Sequence, residues 1–504
     1  MNKTAKSQMR PIFKMRQERL LNIRIINATF GLLLLFEAGF MAMSAIVSLL
    51  YGEDDLNALL ISTGVTTLTA GLLYFCFKEK KERNMHQLKK REGYFIVAFV
   101  WVLFSLFGTL PFYLSGYIPD YTNAFFETIS GYTTTGATIL SDIEALPHGL
   151  LFWRSIIQWQ GGMGIIVLSL AIMPLFGIGG MQMYAAEVPG PTKDKISPRV
   201  TQTAKLLWGL YAAITLVEAI MLYIAGMDAF DAICHACTTI ATGGFSTKNA
   251  SIAYWNSPFI DYIIIFFMIV AAMNYTVLYA ALRGNVKKFI YNEEIKYYLL
   301  IGFAIAAIIV GYNIPTEGIS EKGVRVAIFS SFAFTTGTGF GLSDHTTWAP
   351  FLSVLMIIAM SFGGCAGSSC GGIKTVRLVL LIKNSYFEFK RLLHPNAIIP
   401  VKLNNKVVPP AIITNVLAFI VIYAITVLVG ILIFLFIGVN MEESIGAAIT
   451  SVANVGPGLG ASGPVGNFEH FPDVAKWVMA FFMLVGRLDI FTVLFILSPS
   501  FWRR

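Results

Sequence analysis

Residues 123–138, NAFFETISGYTTTGAT, decide how the chain is read. The apolar part, 123–132, is about half of the roughly 20 residues that an α-helix needs to cross a bilayer. It runs straight into a polar turn around Gly136, and a long apolar block follows at 150–176. A short helix that stops inside a membrane and turns back through an extended glycine segment fits this order. The same order occurs three more times. The apolar stretch 230–241 leads into Ala241-Thr242-Gly243-Gly244, 324–334 into Thr336-Gly337-Thr338-Gly339, and 444–453 into Asn454-Val455-Gly456. Taken as equivalent, Gly136, Gly243, Gly339 and Gly456 lie 107, 96 and 117 residues apart. That period suits two spans plus a re-entrant element and exceeds the 20 to 50 residues of solenoid repeats.

Composition agrees with a membrane setting. Of 504 residues, 56% are hydrophobic and 13% charged, and the mean hydropathy is +0.68, which excludes an assembly of soluble domains. Apolar blocks at 25–50, 56–77, 94–114, 150–176, 206–224, 259–282, 299–312, 349–381, 411–437 and 474–497 are mostly long enough to span, 299–312 being the shortest. The expected fold is an all-α polytopic membrane protein of ten transmembrane helices. An N-terminal hairpin precedes four repeats of span, pore helix, filter loop and span around a pseudo-four-fold pore. The units are 1–92 (cytoplasmic N-terminus and hairpin), 93–202, 203–296, 297–406 and 407–504. The first 24 residues are basic and polar, and the apolar run after them is too long for a cleavable signal, so the first span is expected to be retained.

Lys and Arg gather on alternate connections: seven against one acid in 1–24, seven against three in 78–92, then Lys193, Lys195 and Arg199, then Arg283, Lys287 and Lys288, then the run from Lys374 to Arg391, and finally Arg503 and Arg504. This bias puts both termini in the cytoplasm. The net charge of +8 then reflects topology, and no nucleic-acid partner is expected. The five cysteines lie in or beside apolar segments and read as small buried hydrophobes. Cys234 and Cys237 form a C-x-x-C with only His235 nearby, a weak basis for a metal or redox site.

Irregular backbone at membrane depth persists only where it packs in protein or lines a watery cavity, because each unsatisfied N–H or C=O otherwise costs several kcal/mol. Four such turns in one chain point to a ring in which backbone carbonyls replace the water around a cation. Glycine permits the backbone angles, threonine adds hydroxyl oxygens, and the short helices end at the ring with their negative dipole ends. The four turns contain no Asp or Glu, which disfavours a Ca²⁺-type ring and favours a weakly hydrated monovalent ion such as K⁺. No covalent cofactor is expected.

Residues 363–374 form a second unusual element, with Gly363, Gly364, Gly367, Gly371 and Gly372 packed into ten positions ahead of Lys374. At about 1 kcal/mol each relative to alanine, these glycines break a helix interior. The segment reads as an unwound loop beneath the filter that can move and gate the pore. Its plainer reading is a small-residue packing face. Arg487 in the last span is costly in lipid and should face the interior, as a barrier near the axis or a ligand of that loop; Asp489 need not share its face. Arg154, Gln158, Gln160 and Asn274 read as inter-helix polar contacts rather than ion ligands.

With these features in hand, the chain resembles the Trk/Ktr/HKT superfamily of potassium transporters, and most of all its bacterial Trk-type uptake subunit with an extra N-terminal hairpin. The resemblance rests on FFETISGYTTTGAT, WRSIIQWQGGMGIIVL, TTIATGGFST, GGCAGSSCGGIKTVR, LLHPNAIIPVKLN, VANVGPGLG and GRLDIFT, and covers essentially the whole chain. It implies K⁺ uptake across a bacterial inner membrane, a homodimer with one pore per protomer, and a cytosolic nucleotide-binding, Rossmann-type regulatory subunit. The ion-lining positions it implies are Thr134, Thr135 and Gly136; Ala241, Thr242 and Gly243; Thr338 and Gly339; and Asn454, Val455 and Gly456. Serine at the first filter glycine goes with Na⁺ preference in this superfamily, so Gly136 implies K⁺. The third segment, with glycine at both 337 and 339, leaves its register open by two residues, and the fourth lacks a threonine.

An H⁺- or Na⁺-coupled secondary transporter is the other reading, since broken helices and repeats mark those folds too. Four re-entrant stretches of like polarity favour the pore. No enzyme activity is expected: the six histidines are scattered, and neither H-E-x-x-H nor G-x-S-x-G occurs.

Overall fold

The computed structural model describes residues 21–77, 90–162, 164, 200–317 and 320–503. Most of the basic N-terminus, the 78–89 connection, Lys193, Lys195, Arg199, Arg504 and most of 163–176 lie outside the described residues. The described chain is helical apart from two short strand pairs and the loops.

Six described helices have the length and apolarity to cross a membrane: Ile23–Tyr51, Leu56–Phe77, Arg91–Leu114, Gln202–Ile224, Glu293–Ile314 and Pro410–Ile437. The apolar block 299–312, short in sequence, lies inside the 25-residue helix Glu293–Glu317, because polar residues at both ends extend the helix beyond its apolar centre. Two further spans are broken. Pro258–Ala271 and Tyr275–Leu282 meet at 106°, and Asp473–Arg487 and Ile490–Leu497 at 112°. The block 349–381 is divided into Pro350–Ser361 and Thr375–Leu393 by the glycine loop. Six continuous crossings, or eight with the bent pairs, are therefore found among the described residues, and the count of ten is not established there.

The four short helices are present at Tyr121–Tyr132, Ala229–Ile240, Glu321–Thr335 and Met441–Ala453. Each opens on a side-chain cap that satisfies one of the orphan N–H groups of a first turn. Asp120 accepts from Asn123 N at 2.9 Å, Asp228 from Phe230 N at 3.0 Å, Ser320 from Gly323 N at 3.0 Å and Asn440 from Glu443 N at 2.8 Å. Apart from their first residues these helices are largely buried, enclosed by the spans of their own and neighbouring repeats. The N-terminal hairpin reaches the first of them through Glu37, whose Oε1 accepts from Tyr132 Oη at 3.0 Å.

Candidate ion path at the centre of the four repeats

Each short helix ends in the same backbone turn. The first residue with positive φ is Thr134 (52°), Thr242 (53°), Gly337 (73°) or Asn454 (55°), and a positive-φ glycine follows two residues later: Gly136 (82°), Gly244 (75°), Gly339 (74°) or Gly456 (104°). The residue between them is Thr135, Gly243, Thr338 or Val455. In repeats 1, 2 and 4 its amide donates to the carbonyl five residues back, at Ser130, Thr238 and Thr450 respectively.

The four turns close on one another. A methyl group built on Gly136 would overlap the carbonyl oxygen of Gly243, one on Gly244 that of Thr338, one on Gly339 that of Val455, and one on Gly456 that of Thr135. Each glycine thus abuts the middle residue of the next repeat, in the order 1, 2, 3, 4 and back to 1. This cycle is the geometric signature of a pseudo-four-fold ring, and the positive φ angles explain why glycine recurs in it. In the third segment, the residues that make the ring contacts are Thr338 and Gly339. The ring moves the second segment by one residue: Gly244, not Gly243, is the counterpart of Gly136, so Ala241 lies one step before the ring, beside Thr133, Thr336 and Ala453. The two adjacent glycines hid this in the sequence. A cavity of about 90 Å³ on the loop side of the ring is lined by all four ring glycines, together with Arg154 and Lys248 among others.

A polar layer holds the ring from behind. Gln158 donates to Gly243 O at 2.7 Å and accepts from Phe245 N at 3.1 Å, so one amide fixes both sides of Gly244. Arg154 is buried against Glu127 at 2.6 Å, donates to Ser246 O at 2.7 Å and stacks on Phe245. Glu127 in turn accepts from Thr138 Oγ1 and Ile139 N, each at 3.0 Å, so the buried charges are paired and their lone pairs occupied. Asn454 Nδ2 donates to Thr135 Oγ1 at 2.9 Å, joining the fourth segment to the first. Arg154 and Gln158 were expected as inter-helix contacts; Arg154 is one, through Glu127, while Gln158 bonds the backbone of the second turn, and both brace the ring.

The glycine loop lies against the helix end of the ring. Phe362–Gly363 and Ile373–Lys374 pair as parallel strands, which pinch the loop off from the two helices. A Cβ on Gly371 would meet Ala453 O and Asn454 Cβ, and Ser369 Oγ donates to Ile240 O at 3.0 Å. The breaks in the other spans anchor the loop. Asn274, at the first bend, donates to Ala366 O at 2.6 Å and caps the helix that follows. Met273 and Ala272 flank it, with Cys365 N donating to Ala272 O at 2.8 Å. Arg487, at the second bend, donates to Ser369 O at 2.5 Å and to the carbonyls of Gly161 and Gly162, so it ties the loop to repeat 1 instead of reaching for the membrane surface. Asp489, with φ of +64°, turns away from Arg487 and pairs with Arg377 at 2.6 Å, just beyond the loop. Lys374 Nζ is buried and donates to Cys370 O at 2.5 Å, folding the loop back on itself. Gly364 and Gly367 have loop or Asn274 atoms within contact distance, and Gly367 and Gly372 have positive φ. Cys234 and Cys237 are buried free thiols, and no group of three or more metal-ligating side chains occurs among the described residues.

Comparison with known proteins agrees with this architecture. The family model described as TrkH, cation transport protein, matches residues 60–305 and 299–504. The chain is 39% identical to the Trk system potassium uptake protein TrkH of Escherichia coli K12, over 96% of this chain and all of that protein. It is 32% identical to the Trk system potassium uptake protein TrkG of the same bacterium, over 96% of this chain and 99% of that one. The crystal structure of the potassium transporter TrkH from Vibrio parahaemolyticus is similar at a TM-score of 0.84 and 35% identity, covering 95% of this chain and 99% of that chain. A ring closed by four repeats, a glycine loop against it, and full-length identity well above the level of a shared fold alone make this chain a member of the TrkH family of cation transport proteins, a multi-pass membrane protein.

Proposed function

We propose that the chain mediates K⁺ uptake across a bacterial inner membrane, with both termini in the cytoplasm, through a selectivity filter formed by the four turns. The observation that carries this reading is the closed cycle of glycine-to-carbonyl contacts among Gly136, Gly244, Gly339 and Gly456. Four backbone segments meeting head to tail supply stacked oxygen atoms without a fixed charge, the surroundings that suit a dehydrated monovalent cation. The negative dipole ends of four short helices adjoin the same ring. The relatives named as Trk potassium uptake proteins support K⁺ as the ion.

In this reading the filter lines the path with Thr134, Thr135 and Gly136; Thr242, Gly243 and Gly244; Thr338 and Gly339; and Asn454, Val455 and Gly456. The loop with Gly363, Gly364, Gly367, Gly371, Gly372 and Lys374 bars the path on the cytoplasmic side, latched by Arg487. Opening requires the loop to leave Ala453 and Asn454 and Arg487 to release Ser369. A cytosolic nucleotide-binding subunit supplies the energy difference between the two loop positions, and the chain works as a homodimer with one path per protomer.

Expression in a bacterium that lacks its own K⁺ uptake systems tests the function. Restored growth at limiting K⁺, with K⁺ accumulation, is expected. A chain that reaches the membrane and passes Na⁺ but leaves K⁺ accumulation unchanged contradicts the assignment of the ion.

A further inference from the structure

Among the first positive-φ residues of the four turns, Asn454 alone carries a side chain that bonds to another turn. Thr134 Oγ1 is buried without a partner, Thr242 Oγ1 donates to the neighbouring Ala241 O, and Gly337 has no side chain. Asn454 Nδ2 donates both to Thr135 Oγ1 and to Met483 O, each at 2.9 Å. Thr135 Oγ1 also pairs with Thr133 Oγ1 at 2.8 Å, so the amide sits at the end of a hydroxyl chain in repeat 1. Repeat 3 has the matching hydroxyl pair, Thr336 with Thr338 at 2.7 Å. The other end of the Asn454 amide is different in kind. Its Oδ1 is buried and accepts no hydrogen bond. It faces Gly371 of the glycine loop and Gly486, where a built Cβ would lie 3.1 Å and 2.6 Å from it.

One side chain therefore touches the filter turn of repeat 1, the last span beside Arg487, and the loop that bars the path. A buried amide oxygen without a donor is normally destabilising, so the arrangement is the kind that a second conformation can relieve. We propose that Asn454 is the positioning residue that couples the glycine loop to the filter, setting the Thr135 hydroxyl through Nδ2 and sensing the loop through Oδ1. When the loop withdraws, Oδ1 loses its cover and becomes open to water or a cation at the inner end of the filter, and the Thr135 contact adjusts with it. Asparagine suits the position because it tolerates the left-handed backbone angle and offers both a donor and an acceptor. This inference rests on the filter reading above.

The test uses the full chain in proteoliposomes, with separate K⁺ and Na⁺ flux. Asn454→Gly removes the side chain while glycine accepts the backbone angle. Gly371→Ala pushes the loop from the filter, because its Cβ would meet Ala453 O and Asn454. Asn454→Gly is expected to lower the K⁺/Na⁺ flux ratio by about fivefold to tenfold, the scale of one net hydrogen bond. Gly371→Ala is expected to lower that ratio in the parent chain and to have no further effect in the Asn454→Gly background. A parent-like ratio in Asn454→Gly overturns the proposal, and so does a Gly371→Ala effect of equal size in both backgrounds. If Asn454→Gly does not fold, Asn454→Asp keeps the shape and loses the Nδ2 donor to both Thr135 Oγ1 and Met483 O; a parent-like ratio there overturns the proposal equally. A Gly136→Ser arm separates the two levels: a changed ratio there with none in Asn454→Gly leaves the filter reading intact and removes the role of Asn454.

Discussion

Gly244 combines a φ of +75° with a position where a Cβ would overlap Thr338 O, whereas the atoms nearest a Cβ on Gly243 belong to the Gln158 side chain, and Gly243 is not among the positive-φ residues. Gly244→Ala should therefore reduce K⁺ flux more than tenfold, or prevent assembly, while Gly243→Ala should be milder, because the Gln158 side chain can shift at the loss of its brace whereas a ring carbonyl cannot move without deforming the ring. Equal effects would show that the register has been misassigned. Behind the ring, Arg154→Gln leaves Glu127 buried without its partner, and thermal stability should fall by about 3–5 kcal/mol, with the double variant Glu127→Gln/Arg154→Gln recovering much of the loss. His345, in the loop after the third turn, is buried with neither ring nitrogen bonded, and burial pushes its pKa down to about 4 from the ordinary 6.5. The unfolded chain therefore binds a proton in a window where the folded chain does not. Stability from the neutral imidazole is complete above about pH 6.5 and declines as the pH falls toward 4, by up to ~3 kcal/mol. His345→Phe should flatten the dependence of the melting temperature on pH across that window. At this scale the sequence spoke clearly only where chemistry was unambiguous. Gly136 and Gly456 stood out, but the third turn, with glycine at 337 and 339, left its register open, and the second was read at Gly243, one residue before the Gly244 that has the positive φ.

The elements divide into those set by local sequence and those set by packing. The four short helices were legible because an apolar stretch too short to cross runs into a glycine turn; their observed starts, just after the capping residues Asp120, Asp228, Ser320 and Asn440, come earlier than those apolar stretches because the caps lie in the polar approach. The glycine loop was legible from its composition. The sharp bends at Asn274 and Leu488–Asp489 were not, because one polar residue in an apolar block looks the same whether it caps a broken helix or hydrogen-bonds across an intact one. Here the bends supply the two anchors of the loop, Asn274 and Arg487. Arg487→Gln removes the contacts to Gly161, Gly162 and Ser369 and should raise basal K⁺ flux severalfold with little change in K⁺/Na⁺ ratio. A variant that loses selectivity along with its latch would place Arg487 in the filter's support instead.

For the whole molecule, four repeats of one polypeptide build one ring, so the repeats share a glycine at one level and differ in the residues they place at the others. That asymmetry was half visible in sequence. Repetition of the span, short helix and glycine turn gave the architecture and the four-fold closure. The individual partners, such as Gln158 to Gly243 O or Asn454 to Thr135, join residues up to hundreds of positions apart and follow only from the assembled fold. On the proposed function, this ring discriminates K⁺ from Na⁺. Gly136 has φ of +82°, and a side chain there would strike Gly243 O, so Gly136→Ser must displace a carbonyl of the ring. The decisive measurement is K⁺ and Na⁺ flux in proteoliposomes for the parent chain and Gly136→Ser. K⁺-preferring flux is expected in the parent, with a large gain of Na⁺ flux relative to K⁺ in the variant. An active parent whose K⁺/Na⁺ ratio is unchanged by Gly136→Ser would contradict this role of the ring.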